Sequence, residues 1–378
     1  MSASVASEAL ASALVNPRED KKPTPTITNI QALRGFASLI VFLGHAILLR
    51  GGMGFDHLMP FIGPYASAAV DVFFVISGFI IATVAMKAGA DPRSSRGTIA
   101  WNFAVKRFSR IFPVYWVVLA LTIALGSYVA YSPPFVERKP MWELIFLTTH
   151  INSNIMAAWS LAFEVYFYAV VTIALLISPK RVLWVLSGWS VISTVLVLYN
   201  YYTGEKWGNV FQLTFLVFEF MFGMVIAVLI DRKVYRYATS CAIFGLMGLL
   251  LGIEVMQMKG WPEHVHMWVH AVYVGIPSAF LVYGIVALEI DKGWRVAPFW
   301  TRVGDASYSL YIWHQFLLYT MLKFCERIGL INVVPGPIML LFWLAVCWVV
   351  GFWSYRRIEI PAQTVINGWL TRRRPKMA

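Results

Sequence analysis

The recurrence of long apolar segments constrains the fold of this chain more than any other feature. Hydrophobic residues make up 59% of its 378 residues and charged residues only 13%, far from the composition of a soluble globular protein. A transmembrane helix needs about 20 consecutive apolar residues. Ten such segments occur, at roughly 30–50, 69–88, 111–131, 157–178, 182–199, 209–230, 238–257, 268–290, 303–324 and 334–355. We therefore expect an all-α, polytopic integral membrane protein with about ten transmembrane helices.

The distribution of lysine and arginine predicts the orientation of these helices. If the N-terminus is cytoplasmic, 23 of the 31 basic residues fall in inner segments and 7 in outer ones, as the positive-inside rule requires. Both termini are then cytoplasmic, and basic loops facing anionic lipid explain the net charge of +12 without a nucleic-acid partner. We expect a disordered tail at 1–28, a transmembrane domain at 29–356 and a basic tail at 357–378.

The first apolar segment carries two ionisable groups, Arg34 and His45. Eleven residues separate them, so on a helix they share one face and lie about 16 Å apart along the axis. Ionisable groups inside a membrane are costly and usually functional. This helix is therefore predicted to offer a cation near one surface and a proton-transfer group deeper inside.

Arg107 and Arg110 precede the third segment and are three residues apart, hence on one helical face. Two adjacent guanidinium groups can bind phosphate oxygens bidentately. By the charge distribution they are expected at the cytoplasmic mouth of the protein. The alternative is a basic cluster that anchors the helix among lipid head groups.

Two carboxylates are predicted at the depth of His45. Asp71 opens the second segment and Glu164 lies about two turns inside the fourth. A carboxylate beside an imidazole fixes its tautomer and raises its basicity, as a general base requires. The three side chains are thus candidate catalytic residues, although a polar cluster that only holds helices together is the alternative.

The remaining histidines are weaker candidates. In the ninth segment, His314 and the neighbouring Tyr311 are expected to line a cavity and bind substrate, unless His314 only packs between helices. His264, His266 and His270 cluster in an outer loop, but no carboxylate or cysteine pattern accompanies them. We therefore expect no metal site.

Five motifs, in order from about residue 28 to residue 355, resemble those of the membrane acyltransferase-3 family. They are the arginine and histidine of the first segment, the stretch Asp71 to Phe79, an Arg-x-x-Arg, a Trp-Ser-Leu-x-x-Glu and a Tyr-Ser-Leu-Tyr-x-x-His. The resemblance implies a ten-helix enzyme of the bacterial inner membrane. Such enzymes O-acylate extracytoplasmic glycans or glycolipids, commonly from acetyl-CoA.

By motif position, Arg34, His45, Arg107, Arg110 and Glu164 match functional residues of the family. We expect acetyl-CoA as the acyl donor and no bound cofactor, and the expected partners are acyl-CoA, a glycan or lipid-linked glycan acceptor and the lipid bilayer, with no nucleic acid. Some members add a further helix and a fused esterase-like domain; we expect neither here, so it stays open whether a partner protein completes the transfer. The acceptor glycan, the acyl chain, an acyl-enzyme intermediate and a homo-oligomeric state also stay open.

A transporter is the alternative function. Ten spans with buried charges suit a substrate or proton pathway lined by Arg34 and His45. Against it, the second half of the sequence does not repeat the first, and no pair of interrupted segments occurs in corresponding positions. A transporter would move its substrate without chemical change.

Overall fold

The computed structural model describes residues 27–49, 59–90, 94–125, 140–148, 155–203, 216–259 and 269–372. Within these ranges every regular element is a helix, which confirms the all-α prediction for the described residues. The helices are α1 (Thr28–Leu48), α2 (Met59–Gly89), α3 (Arg96–Leu125), α4 (Met141–Phe146), α5 (Trp159–Ile177), α6 (Val182–Thr203), α7 (Leu216–Asp231), α8 (Ala238–Lys259), α9 (Ile276–Lys292), α10 (Pro298–Asp305), α11 (Ser307–Arg327), α12 (Gly336–Ser354) and α13 (Ile360–Arg372). Two π-helical segments, Ala271–Gly275 and Tyr355–Glu359, lead into α9 and join α12 to α13.

Eight spans among the described residues are long and apolar enough to cross a membrane. Two of the ten predicted segments are not among them. Only 16 residues of α7 are described, and α11 contains polar residues such as His314 and Gln315 along its 21-residue length. The protein is thus a multi-pass membrane protein, while the count of ten and the orientation of the termini stay predictions.

Three helix boundaries differ from the predicted ones and change the position of candidate residues. Helix α2 begins at Met59, so Asp71 lies three turns inside it. Helix α3 begins at Arg96, so Arg107 and Arg110 lie within a long helix and do not precede it. The predicted basic tail begins in the π segment and continues as α13. The predicted segments ended at polar residues, because only apolar residues were counted. A helix can continue through polar residues and usually ends at a glycine or a proline.

Glycines bring α2 and α7 into backbone contact. A Cβ atom added at Gly78 would lie 2.4 Å from the carbonyl oxygen of Phe220, and one added at Gly223 would lie 2.3 Å from that of Val75. Helices in membranes associate through such small residues because the lipid provides no hydrophobic driving force between them. The contact fixes α2, which carries both Asp71 and Ser77, against α7.

The start of α1 is capped by a carboxylate from another helix. Glu289 of α9 accepts hydrogen bonds from Thr28 N (2.9 Å), Thr28 Oγ1 (2.7 Å) and Asn29 N (2.7 Å). The first N–H groups of a helix have no partner within it, and a negative charge there also opposes the helix dipole. Glu289 thereby fixes the axial position of α1 and of the candidate residues on it.

Candidate active site

A cavity with a volume of about 70 Å³ lies among α1, α2, α3, α5 and α11. Its polar lining comes from Arg34, Ser77, Arg107, Arg110, Ser160, Glu164, Tyr168, Ser307, Tyr308 and Tyr311. The rest of the lining is mainly aliphatic and aromatic. An apolar cavity with a few convergent polar groups is the usual form of a small-molecule site. The structure thus brings five of the predicted site residues, Arg34, Arg107, Arg110, Glu164 and Tyr311, to one place.

Three guanidinium groups give the cavity its positive charge. Arg34 is buried and donates one hydrogen bond, from Nη1 to Gln31 Oε1 (3.1 Å). The guanidinium of Arg107 lies 5.4 Å from the ring centroid of Phe103 and 5.8 Å from that of Tyr168, distances typical of cation–π contacts. The buried Nε atom of Arg107 has no hydrogen-bond partner among the described residues. A buried donor of this kind favours binding of an anion.

Two carboxylates oppose these cations. Glu164 interacts electrostatically with Arg34, Arg107 and Arg110. Glu359 interacts with Arg34 and Arg110. If both carboxylates are ionised, one of the three positive charges stays uncompensated. The cavity therefore has an electrostatic preference for an anionic ligand.

Glu164 is held on the cavity wall by two hydroxyl groups. Its Oε1 atom accepts hydrogen bonds from Tyr168 OH (2.5 Å) and from Ser77 Oγ (3.3 Å). Tyr168 follows Glu164 by four residues and is therefore its neighbour on α5. The two hydrogen bonds hold Glu164 near the arginines, where it acts as their counter-ion. Its hydrogen-bond partners among the described residues do not include His45.

His45 is paired with His314. The ring centroids are 5.0 Å apart and the planes are inclined by 64°. His45 Nδ1 lies 2.9 Å from the carbonyl oxygen of Val41, and His314 Nδ1 is bonded to the carbonyl oxygen of Tyr311. A carbonyl oxygen only accepts hydrogen bonds, so we assign a proton to each Nδ1, which leaves each Nε2 with a free lone pair. Each imidazole is thereby set up to accept a proton.

Tyr311 connects the cavity to the histidine pair. Its ring lines the cavity and lies 5.6 Å, centroid to centroid, from the ring of His314. Its hydroxyl group is 2.7 Å from Ser160 Oγ and donates to the carbonyl oxygen of Ala157 (3.0 Å). Ring contacts therefore link the cavity wall through Tyr311 to His314 and then to His45.

Asp71 does not line the cavity and does not lie beside His45. Its Oδ1 atom is 3.1 Å from Nδ1 of His270, and Glu219 of α7 completes the cluster. The predicted contact between Asp71 and His45 is absent from the described residues, because α2 packs on α7 and Asp71 faces Glu219 and His270. The carbonyl oxygen of Val41, and neither Asp71 nor Glu164, fixes the His45 ring. His264 and His266 lie outside the described residues.

Sequence reasoning missed several residues of this site, among them Tyr168 and Glu359. Tyr168 could have been found, because it follows Glu164 at helical spacing. Glu359 was assigned to the basic tail, yet it is buried and accepts a hydrogen bond from Ser309 Oγ (2.8 Å). Its flanking arginines, Arg356 and Arg357, made the segment resemble a solvated terminus.

Residues 27–353 match the family model of acyltransferase-3, whose description is an acyltransferase domain. The match covers most of the chain and contains every predicted site residue. No solved structure is significantly similar to the chain.

Curated relatives are similar over most of this chain. The exopolysaccharide production protein ExoZ of Rhizobium meliloti (strain 1021) is 27% identical over 307 residues, which are 78% of this chain and 89% of ExoZ. The peptidoglycan O-acetyltransferase OatA of Listeria monocytogenes is 22% identical over 93% of this chain and 57% of its own length. The O-acetyltransferase OatA of Staphylococcus aureus (strain NCTC 8325 / PS 47) is 21% identical over 89% of this chain and 57% of its own length.

Proposed function

Since the chain belongs to the acyltransferase-3 family, we propose that it O-acetylates an extracytoplasmic polysaccharide or glycolipid with acetyl-CoA as the donor. One observation carries this proposal: a cavity lined by three guanidinium groups shares Tyr311 with a pair of histidines, each of which bonds through Nδ1 to a carbonyl oxygen of its own helix. The names of the relatives, which include exopolysaccharide production and peptidoglycan O-acetylation, support a glycan acceptor.

The arginines are proposed to bind the phosphate groups of the donor. Arg107 and Arg110 share one face of α3, and Arg34 reaches the same cavity from α1. Guanidinium groups bind phosphate oxygens with two parallel hydrogen bonds, and they keep their charge at any physiological pH. In this proposal the pantetheine arm extends along the apolar wall of the cavity, which directs the thioester towards Tyr311 and the histidine pair.

His45 is proposed to act as the general base. Its Nε2 atom accepts the proton of an acceptor hydroxyl group while the hydroxyl oxygen attacks the thioester carbonyl carbon. The carbon–sulfur bond then breaks, and the proton passes from His45 to the departing thiolate. The products are the O-acetyl ester and CoA. His314, packed against His45, positions its ring, and Tyr311 contributes to the wall along which the substrates meet.

The donor is proposed to enter from the cytoplasm and the acceptor from the opposite side. The excess of basic residues in the predicted inner segments supports this direction. Arg34 lies near the start of α1, and His45 lies near its end, about 16 Å further along the axis. In a bacterial inner membrane, this arrangement separates the entry of the two substrates along one helix.

Calorimetric titration of acetyl-CoA into the purified full-length protein in nanodiscs tests the donor site. The double variant Arg107→Ala and Arg110→Ala should bind at least ten times more weakly, a loss of about 1.4 kcal/mol or more. The matched control is Arg232→Ala with Arg236→Ala, which removes the same charge from exposed positions.

Unchanged affinity in the control, with a tenfold loss in the first variant, supports a specific phosphate site. An equal loss in both would indicate bulk electrostatics and contradict the assignment. Failure of the folded wild-type protein to bind acetyl-CoA would refute the proposed donor and favour transport of an anion through the same cavity.

A further inference from the structure

A second cluster of ionisable side chains lies apart from the cavity. Asp71 of α2, Glu219 of α7 and His270, which precedes the π segment leading into α9, each offer one possible ligand atom. All three atoms lie within 4.8 Å of one another, and Asp71 Oδ1 is 3.1 Å from His270 Nδ1. From this geometry we propose that the three residues bind a divalent transition-metal ion of the zinc or manganese class. The inference is independent of the proposed acyl transfer.

The cluster is buried inside the helix bundle. The exposed fraction is 2% for Asp71, 0% for Glu219 and 8% for His270. Both carboxylate oxygens of Glu219 lack a hydrogen-bond partner among the described residues. A buried ionised carboxylate without a partner is strongly unfavourable, and a second carboxylate beside it increases the cost. Such a pair is stabilised by a cation bound between the carboxylates or by a proton shared between them.

The donor set matches the chemistry of a divalent transition metal. Zinc binds histidine nitrogen at about 2.0–2.1 Å and carboxylate oxygen at about 2.0–2.2 Å, and three protein ligands are a common number in its sites. Ligand atoms around one such ion are typically about 3–4 Å apart, so small side-chain rotations complete the coordination. Manganese and ferrous iron accept the same mixture of carboxylate and imidazole ligands. Two negative carboxylates then neutralise one dication.

An ion can reach the cluster through a neighbouring cavity. This cavity has a volume of about 230 Å³, lies against His270 and is lined also by Pro64, Gln257 and Val274. A metal site needs such an entry path as well as suitable ligands. The cavity lies where α2 begins and α8 ends, and so at one end of the bundle.

The bound ion would join three helices at a point close to the proposed active site. Asp71 precedes Ser77 by six residues, about 9 Å along α2, and Ser77 donates to Glu164. Cross-linking α2 to α7 and to the helix after His270 would fix this part of the cavity wall. The proposed role of the ion is therefore structural, through the position of α2.

Metal analysis of the full-length protein tests the proposal. The protein is purified through a histidine-free affinity tag, and its metal content is measured by inductively coupled plasma mass spectrometry. Wild type should hold about one equivalent of zinc, manganese or iron per chain, or take up one equivalent of added Co²⁺ with visible d–d absorption. Asp71→Asn and Glu219→Gln should each reduce the metal content, or the Co²⁺ uptake, at least fivefold. Glu254→Gln is the matched control, because this carboxylate on α8 already accepts a hydrogen bond from Tyr65 OH (2.9 Å).

A chelator provides a second readout that does not depend on the variants. EDTA should lower the melting temperature of wild type and of Glu254→Gln, and zinc should restore it. Absence of both native metal and Co²⁺ uptake in the folded wild type would overturn the proposal and indicate a proton shared between the two carboxylates. Equal metal binding by all variants would overturn it as well. If the variants do not fold, the Co²⁺ spectrum and the EDTA response of wild type decide.

Discussion

Replacement of Glu289, the carboxylate that caps α1, should destabilise the protein by a calculable amount. Asn29 is 1% exposed, so Glu289→Ala leaves its N–H group buried without a partner, at a cost of about 1–3 kcal/mol. The two donors of Thr28 are only partly buried and can bond to water, so each loses about 0.5 kcal/mol. The sum is about 3 kcal/mol. Glu289→Gln keeps one acceptor oxygen and should lose about half as much.

Thermal unfolding in detergent measures this difference. Globular proteins unfold with an entropy of about 2.1 cal/mol/K per residue, which for this chain makes 3 kcal/mol equivalent to about 4 °C. We expect a decrease of about 4 °C for Glu289→Ala and about 2 °C for Glu289→Gln, with Glu254→Ala as a control carboxylate that caps no helix. A melting temperature of Glu289→Ala within 1 °C of wild type would refute the capping argument. Equal losses in both Glu289 variants would show that the lost charge, and not the lost acceptors, sets the stability.

Two further predictions concern the base and the helix contact. His45→Ala should lower the transfer of labelled acetyl groups from acetyl-CoA to cell-envelope polysaccharide by about 10²–10⁴-fold, the usual contribution of a general base. The affinity for acetyl-CoA should stay within twofold of wild type. Transfer at the wild-type rate would show that His45 takes no part in the chemistry. Gly223→Leu should prevent accumulation of folded protein, because even its Cβ would lie 2.3 Å from a carbonyl oxygen, whereas Gly97→Leu, where nothing lies within 4 Å of an added Cβ, should not. Fluorescence-detected gel filtration distinguishes these results, and equal yields of both variants would contradict the close contact of α2 and α7.

The features set by local sequence were predictable. Segments of apolar residues predicted the helices, and helical spacing placed Arg107 beside Arg110 on one face. Both appear in the structure, since they depend only on the geometry of a single helix. A helix bundle in a membrane directs the polar groups of apolar segments towards its interior. This explains why the cavity is lined by Arg34, Glu164 and Tyr311.

The partners of each side chain were not predictable in the same way. Spacing estimates how deep a residue lies, but it does not tell which helices are neighbours. Asp71 was therefore placed with His45, although the packing of α2 on α7 turns it towards Glu219 and His270. Glu359 was missed for a related reason. It is buried by tertiary packing, and the sequence of a short segment rich in arginine does not indicate that burial. Long-range contacts of this kind need the assembled bundle.

The way each histidine is held has a consequence for substrate access. His45 and His314 each bond through Nδ1 to a carbonyl oxygen of their own helix. The tautomer assigned to each ring thus depends on a hydrogen bond within one helix. An increase in the distance between α1 and α11 would therefore not change it. If the proposed substrates and products pass between the two helices, both rings retain the tautomer that the next turnover needs.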